Sequence, residues 1–320
     1  MLESGEKLGA FIVPTGVGAK IGGFAGDASN FARMFSEKSK LIVNPNVVNA
    51  GGFSGINDNM FYVEGYSLDE FFNGNLKLVP SRHNKIGIVF DKAIPKDVLN
   101  VHINTMNAVK CVYGIDIPYY EITKEDVGVE FVIEDNGIST GNVNNIETLK
   151  EASKILLEKG CEAIAIVCMF EDPEGINEEY SNGEGTDPVG GVEAIISHYI
   201  SKELKVPCAH SPAFDDYQIY PEIVDIKSSS EYITPTFLPC ILLGLNNAPK
   251  LSNTGIGVEN LDYLVMPYDS LGSTPVFEAI KRNIRVFAVK ENKTVLNVTP
   301  DKISSNIIVV ESYQECLDMI

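Results

Sequence analysis

The chain has 320 residues, of which 44% are hydrophobic and 22% are charged, as is usual for a globular protein. Its formal net charge of −19 repels nucleic-acid phosphates and anionic lipid surfaces. No apolar run has the length of a membrane span, and the N-terminus lacks the basic and apolar regions of a signal peptide. We therefore expect a cytoplasmic protein that binds neither nucleic acid nor a membrane.

Short apolar runs alternate along the chain with amphipathic segments of helix length. This pattern is typical of an α/β fold with a largely parallel sheet. The predicted strands are Leu8–Val13, Lys40–Val43, Ile86–Phe90, Val129–Ile133, Ala163–Val167, Val206–Ala209, Tyr263–Met266, Val286–Val289 and Ile307–Val310. The predicted helices are Ile146–Lys159, Pro188–Leu204, Pro275–Asn283 and Tyr313–Ile320.

Helix-capping signals and polar loops suggest how these elements are organised. Asn144 and Glu147 have the spacing of a capping box, and Asp187 before a proline is typical of an N-cap. The polar segment 134–145 predicts a boundary between two Rossmann-like lobes, residues 1–140 and 141–320, with helices on both faces of each sheet. A second polar loop, residues 171–185, is rich in acidic residues. This indicates a lid, a loop that contacts a metal ion, or a solvated insertion.

The segment that follows the first strand is rich in glycine and is the most informative part of the sequence. Glycine allows the backbone to approach a ligand closely, and the free amides of a following helix suit an anion. The spacing matches neither the dinucleotide-binding motif nor the P-loop. We predict a phosphate or carboxylate site here; the alternative is a turn that only lets strand and helix pack closely. The predicted ligand-binding residues are Thr15, Gly16, Gly18, Lys20, Gly22 and Gly23.

Polar residues follow several other predicted strands, at the edge where open α/β sheets bind ligands. Simple turn chemistry would also favour many of these residues. The further candidates for ligand binding are Asn46, Asn49, Ser270, Glu291 and Asn292.

His210 just beyond a strand is the best general acid or base, because histidine titrates near neutral pH. The carboxylates predicted to orient or assist it are Asp27, Glu193 and Asp269.

Neither the cysteines nor the histidines have the spacing of a metal site, so no metal ligands are predicted. The paired carboxylates permit Mg²⁺, but no spacing demands it. The cysteines include Cys168 and Cys208, whose interpretation is open between reactive thiols and buried structural residues. The sequence also leaves homo-oligomerisation open.

Five stretches give the chain a resemblance to an uncharacterised family, domain of unknown function 3326: Val13–Asp27, Asn44–Asn49, Tyr62–Tyr66, Val206–Pro212 and Lys290–Thr294. This resemblance implies one architecture along nearly the whole chain and brings no activity. A weaker likeness over residues 149–208 is to half of an aspartate/glutamate racemase, an enzyme that uses two cysteines. Cys168 corresponds to the first of these, but the segment after Met266 supplies no second cysteine, which argues against two-thiol racemisation.

The leading hypothesis is a cytoplasmic enzyme that acts by proton transfer on a small, anionic, polar metabolite in a cleft between the lobes. Isomerase, lyase and cyclic-amide hydrolase reactions all fit this chemistry. One alternative is a transferase whose nucleotide or phosphoribosyl donor is held by the glycine-rich segment. Another is a protein that binds a metabolite without catalysis.

Overall fold

The computed structural model describes residues 5–171, 177–215, 217 and 219–320. The strands are β1 (Leu8–Phe11), β2 (Lys40–Val43), β3 (Asn49–Ala50), β4 (Phe53–Ser54), β5 (Met60–Tyr62), β6 (Lys77–Val79), β7 (Ile86–Phe90), β8 (Tyr119–Ile122), β9 (Val129–Ile133), β10 (Ser139–Val143), β11 (Ala163–Met169), β12 (Cys208–Ala213), β13 (Lys250–Ser252), β14 (Tyr263–Pro267), β15 (Arg285–Val289) and β16 (Ile308–Val310). The helices are α1 (Ser29–Ser36), α2 (Pro45–Val48), α3 (Gly65–Asn73), α4 (Lys96–Tyr113), α5 (Ile146–Glu158), α6 (Asn177–Ser181), α7 (Gly190–Leu204), α8 (Ser229–Tyr232), α9 (Leu238–Asn246), α10 (Thr274–Lys281), α11 (Pro300–Ile303) and α12 (Tyr313–Asp318).

Two parallel sheets form the framework. The larger has six strands in the order β16-β15-β14-β1-β2-β5, and the smaller has four in the order β12-β11-β7-β8. Both sheets take strands from before and after residue 140, so the predicted division of the chain there does not separate them. The α/β prediction with largely parallel sheets is confirmed.

Helices cover both faces of the larger sheet because successive strand residues point to opposite sides. Phe11 of β1 packs in a cluster with Phe35 of α1 and Tyr313 of α12. Its neighbour Ala10 lies in another cluster, together with Phe71 of α3. The sheet is therefore buried on both faces, which explains why its strands read as continuous apolar runs.

The smaller sheet is covered in the same way, by α4 and α9 on one face and by α5 and α7 on the other. Residues of β7 and β11 on the first face belong to the same apolar cluster as Phe11 of the larger sheet. One continuous core therefore joins the two sheets and fixes their relative position. Among the described helices, none is both long and apolar enough to cross a membrane.

Each predicted strand is present, with end residues that shift by up to four positions. The largest shift is at β12, which continues past the predicted end at Ala209 and so includes His210. The capping-box prediction is wrong, since α5 begins after Asn145 and no side chain caps it. Asp187 does accept hydrogen bonds from the amides of Val189 and Gly190, at 3.0 and 3.2 Å, and so caps the first turn that leads into α7.

Gly9 offers a direct test of the packing around β1. A Cβ atom at this position would lie 2.1 Å from Cζ of Tyr263, whose hydroxyl is held by Ser39 at 2.5 Å. We expect Gly9→Ala to lower the free energy of unfolding by about 3 kcal/mol or more, because the ring and the strand must move apart. Chemical denaturation measures this loss.

The matched control is Gly272→Ala, since the nearest atom to its added Cβ is a Val298 methyl carbon at 3.3 Å. That variant should unfold close to the wild-type midpoint. Equal midpoints for Gly9→Ala and Gly272→Ala would contradict the packing described for β1 and β14.

Candidate functional site

A cavity of about 290 Å³ lies at the carboxyl end of β12, beside the glycine-rich segment and the start of α7. Its volume is near the lower end of ligand pockets, which measure roughly 300–1,000 Å³. The structure brings six of the residues predicted from the sequence to this one cavity: Thr15, Gly23, Asn46, Asn49, Glu193 and His210. Strand ends from both sheets therefore converge on it.

Two buried asparagine side chains fix the glycine-rich segment in place. Asn44 accepts from the Val13 amide at 3.1 Å and donates to the Val13 carbonyl at 2.7 Å. Asn292 makes the same pair of bonds to Ile21, at 2.9 and 2.7 Å, and also donates to the Tyr313 hydroxyl at 2.7 Å. Each amide thus supplies the partners that a neighbouring strand would give. Asn292 is completely buried, holds the segment and does not belong to the described lining of the cavity.

The other residues predicted for the ends of β14 and β15 also make structural contacts away from the cavity. Asp269 accepts three hydrogen bonds, at 2.9 to 3.2 Å, from the amide and hydroxyl of Thr294. The hydroxyl of Ser270 donates to the Pro267 carbonyl at 3.3 Å, and Glu291 accepts from the amide of Tyr313. These bonds tie consecutive turns together, so none of the three lines the cavity.

Part of the glycine-rich segment also lies outside the cavity lining. Gly16 has φ of +76° and packs against Ser139, while Gly18 packs against Thr186. The side chain of Lys20 is exposed, and its amide donates to the Lys293 carbonyl at 2.7 Å. At these positions the glycines allow close packing of the backbone, which was the alternative to a ligand-binding role.

Asp27 lies just behind the lining and supports the segment from within. Its carboxylate accepts from the amide of Gly22. Burial raises the pKa of Asp27 to about 6, although that hydrogen bond and the charge of Lys227 act in the opposite direction. Gly22 and Asp27 are therefore placed to order the backbone of the segment.

His210 lines the cavity as a neutral imidazole. Its Nδ1 lies 2.8 Å from the hydroxyl of Ser197, which itself donates to the Ala194 carbonyl at 3.2 Å. Because a serine hydroxyl has one hydrogen, we infer that Nδ1 carries the ring proton and that Nε2 is an acceptor. Burial lowers the pKa of His210 to about 3, and the charge of His198 adds to this. The expectation that His210 titrates near neutral pH is therefore wrong, because burial disfavours the imidazolium.

Three carboxyl groups line the same cavity: Asp187, Glu193 and Glu231. The described lining contains no lysine or arginine to balance them. Burial raises the pKa of all three, and mutual repulsion raises it further for Glu193 and Glu231. Such a group cannot be fully ionised at neutral pH.

The three carboxyl groups differ in their hydrogen bonds. Asp187 accepts from two backbone amides, which favour its ionised form. The pKa of Glu231 is raised to about 8 by burial and by Asp187, against the effect of a hydrogen bond with Tyr180. Glu193 is only 7% exposed, and its Oε1 has no hydrogen-bond partner among the residues that the structure describes.

Aromatic rings form much of the remaining wall. Phe24 and Tyr180 have ring centroids 4.9 Å apart, and Tyr220 and Tyr232 have centroids 5.2 Å apart. These rings and the carboxyl groups make the cavity both apolar in its walls and rich in acceptors.

Neither Cys168 nor Cys208 belongs to the described lining of the cavity. Cys168 and Cys208 are almost completely buried, and burial raises the pKa of both thiols, as for inert structural cysteines. Across the described ranges, no cluster of three or more histidine, cysteine or acidic side chains is arranged to hold a metal ion. Asp172 and Glu174 of the polar loop lie outside the described residues.

A family profile described as a protein of unknown function (DUF3326) matches residues 9–320. The chain belongs to this family. One relative is an uncharacterised lipoprotein of Synechococcus sp., 36% identical over 298 residues that cover 90% of this chain and 83% of the relative. No solved structure matches the DUF3326 chain, and no comparison supports the likeness to racemases.

Glu231 of this DUF3326 protein makes stability depend on pH in a defined direction. Between its ordinary pKa of 4.5 and its folded value of about 8, the folded state holds a proton that the unfolded state has lost. The stabilisation of wild type relative to Glu231→Gln should therefore fall as pH rises, by up to about 1.4 kcal/mol per pH unit. Chemical denaturation at several pH values across this window measures it.

Comparing each variant with wild type at the same pH removes the contributions of unchanged groups such as His210. Glu134→Gln is the control, since Glu134 is exposed on the surface. A pH-independent difference between wild type and Glu231→Gln would contradict the protonated state assigned to Glu231.

Proposed function

We propose that this protein is an enzyme that catalyses proton transfer on a small polar metabolite bound in the cavity. The observation that carries this proposal is the meeting of Asp187 and Glu231 at one cavity in unlike environments. Burial raises the pKa of both carboxyl groups, but only Asp187 accepts hydrogen bonds from backbone amides, so the two groups are suited to act as base and acid.

Asp187 is suited to the role of base. Its carboxylate lies at the start of the turn that leads into α7, where the amides of Val189 and Gly190 stabilise negative charge. Glu231 is suited to the role of acid, because it keeps its proton at neutral pH. Isomerase and lyase reactions need such a pair.

His210 has a different role in this proposal from that expected from the sequence. With Nδ1 bonded to Ser197, the neutral ring offers Nε2 as an acceptor, which positions a substrate donor without moving a proton. The backbone from Gly23 to Gly26 also lines the cavity, and its glycines would allow a substrate to approach closely.

The charge of the lining bears on the alternatives. A nucleotide or phosphoribosyl donor needs positive charge near its phosphates, whereas the described lining carries three carboxyl groups and no lysine or arginine. This favours proton transfer over phosphate-dependent transfer. A non-catalytic binding protein would use the same cavity and is one outcome of the test below.

The cytoplasmic location stays a prediction, and the printed name of one relative is that of a lipoprotein.

The test follows hydrogen–deuterium exchange at carbon in D₂O by NMR, with a panel of small hydroxy, keto and amino acids and cyclic amides. Wild type should exchange or convert at least one of these compounds. Asp187→Asn and Glu231→Gln should slow that reaction by roughly 10²–10⁴-fold, the usual contribution of a positioned acid or base. Glu134→Gln is the matched control and should react at the wild-type rate.

Two results would contradict the proposal. One is that wild type binds compounds of the panel but neither exchanges nor converts any, which would make the protein a binder. The other is that Asp187→Asn and Glu231→Gln both react as fast as wild type.

A further inference from the structure

The cavity brings together three carboxyl groups and the acceptor Nε2 of His210, with no lysine or arginine in its described lining. Nε2 of His210 is an acceptor, Oε1 of Glu193 has no partner among the described residues, and Asp187 accepts from two backbone amides. A cavity of this kind is satisfied by a ligand that brings donors.

Glu193 points to the chemical class of that ligand. The side chain lies in α7, is more than nine-tenths buried, lines the cavity and has an oxygen without a partner in the described part of the chain. Leaving a buried carboxyl oxygen unpaired costs free energy, and no described cationic side chain lines the cavity to offset it. A ligand cation would supply both the hydrogen bond and the missing charge.

The aromatic walls are suited to the same kind of ligand. The Phe24 ring already carries the ammonium of Lys227, 4.6 Å from its centroid, so the lining rings suited to a ligand cation are those of Tyr180, Tyr220 and Tyr232. The carboxyl groups can also accept hydrogen bonds. They therefore favour an ammonium that carries N–H donors over a quaternary ammonium, which has none.

We propose that the substrate carries a primary ammonium group and that Glu193 is its binding residue. This rests on the proposed function only in placing the substrate in the same cavity. It replaces the anionic metabolite expected from the glycine-rich segment by a cationic one. A primary ammonium has three donors, which Glu193, Asp187 and His210 Nε2 can share.

The experiment is an NMR titration of wild type with four probes of similar size: butylammonium, butanol, butyrate and tetramethylammonium. Butylammonium should bind most tightly. Glu193→Gln should weaken its binding by about tenfold or more, because the variant loses a buried, charge-assisted hydrogen bond. Glu134→Gln should bind it as wild type does.

A second measurement needs no variant and applies even if Glu193→Gln fails to fold. Calorimetry of butylammonium binding to wild type at neutral pH, in buffers of different ionisation enthalpy, should show release of protons. A cation favours the ionised carboxylates, whose pKa values burial has raised.

Preferential binding of butyrate, equal binding of tetramethylammonium or butanol, no binding of any probe, or unchanged binding by Glu193→Gln would each overturn the ammonium proposal. These outcomes are separate from the exchange test. Butylammonium binding without any exchange rejects proton transfer alone, and exchange of a substrate that lacks an amino group rejects the ammonium proposal alone.

Discussion

Repulsion among Asp187, Glu193 and Glu231 is the constraint on which the account of this molecule depends. Glu193 is buried and Asp187 and Glu231 are half-buried, so three unbalanced negative charges there are unfavourable, and protons or a ligand cation would reduce them. The environments of the carboxyl groups differ, because backbone amides stabilise the Asp187 carboxylate while Glu231 keeps its proton. On that difference we base the proposal that the cavity holds a base beside an acid.

The rest of the architecture holds this cavity together. The larger sheet supplies the glycine-rich segment, which Asn44 and Asn292 fasten through their side-chain amides. The smaller sheet supplies β12 with His210, and α7, packed against that sheet, supplies Glu193. Because one apolar core joins the two sheets, these groups keep fixed positions relative to one another.

Local sequence was enough to predict most strands of the two parallel sheets and one side of the site, but not β5, β8 or what depends on distant contacts. Apolar runs such as Lys40–Val43 stand out because both faces of the strand are buried. The long helix α4 was missed because few of its residues are buried and one of these is His102. Glu231 was missed because it lies in a four-residue helix, after no strand, and reaches the cavity through tertiary packing. The titration of His210 was misjudged because burial is not visible in the neighbouring sequence.

The most direct measurement is infrared spectroscopy of the protein with ¹³C-labelled glutamate at neutral pH. We expect a band from protonated glutamate carboxyl groups, which Glu231→Gln reduces and part of which fades as pH rises through about 8, the folded pKa of Glu231. A spectrum in which every glutamate is ionised at neutral pH, or a band that Glu231→Gln leaves unchanged, would contradict it.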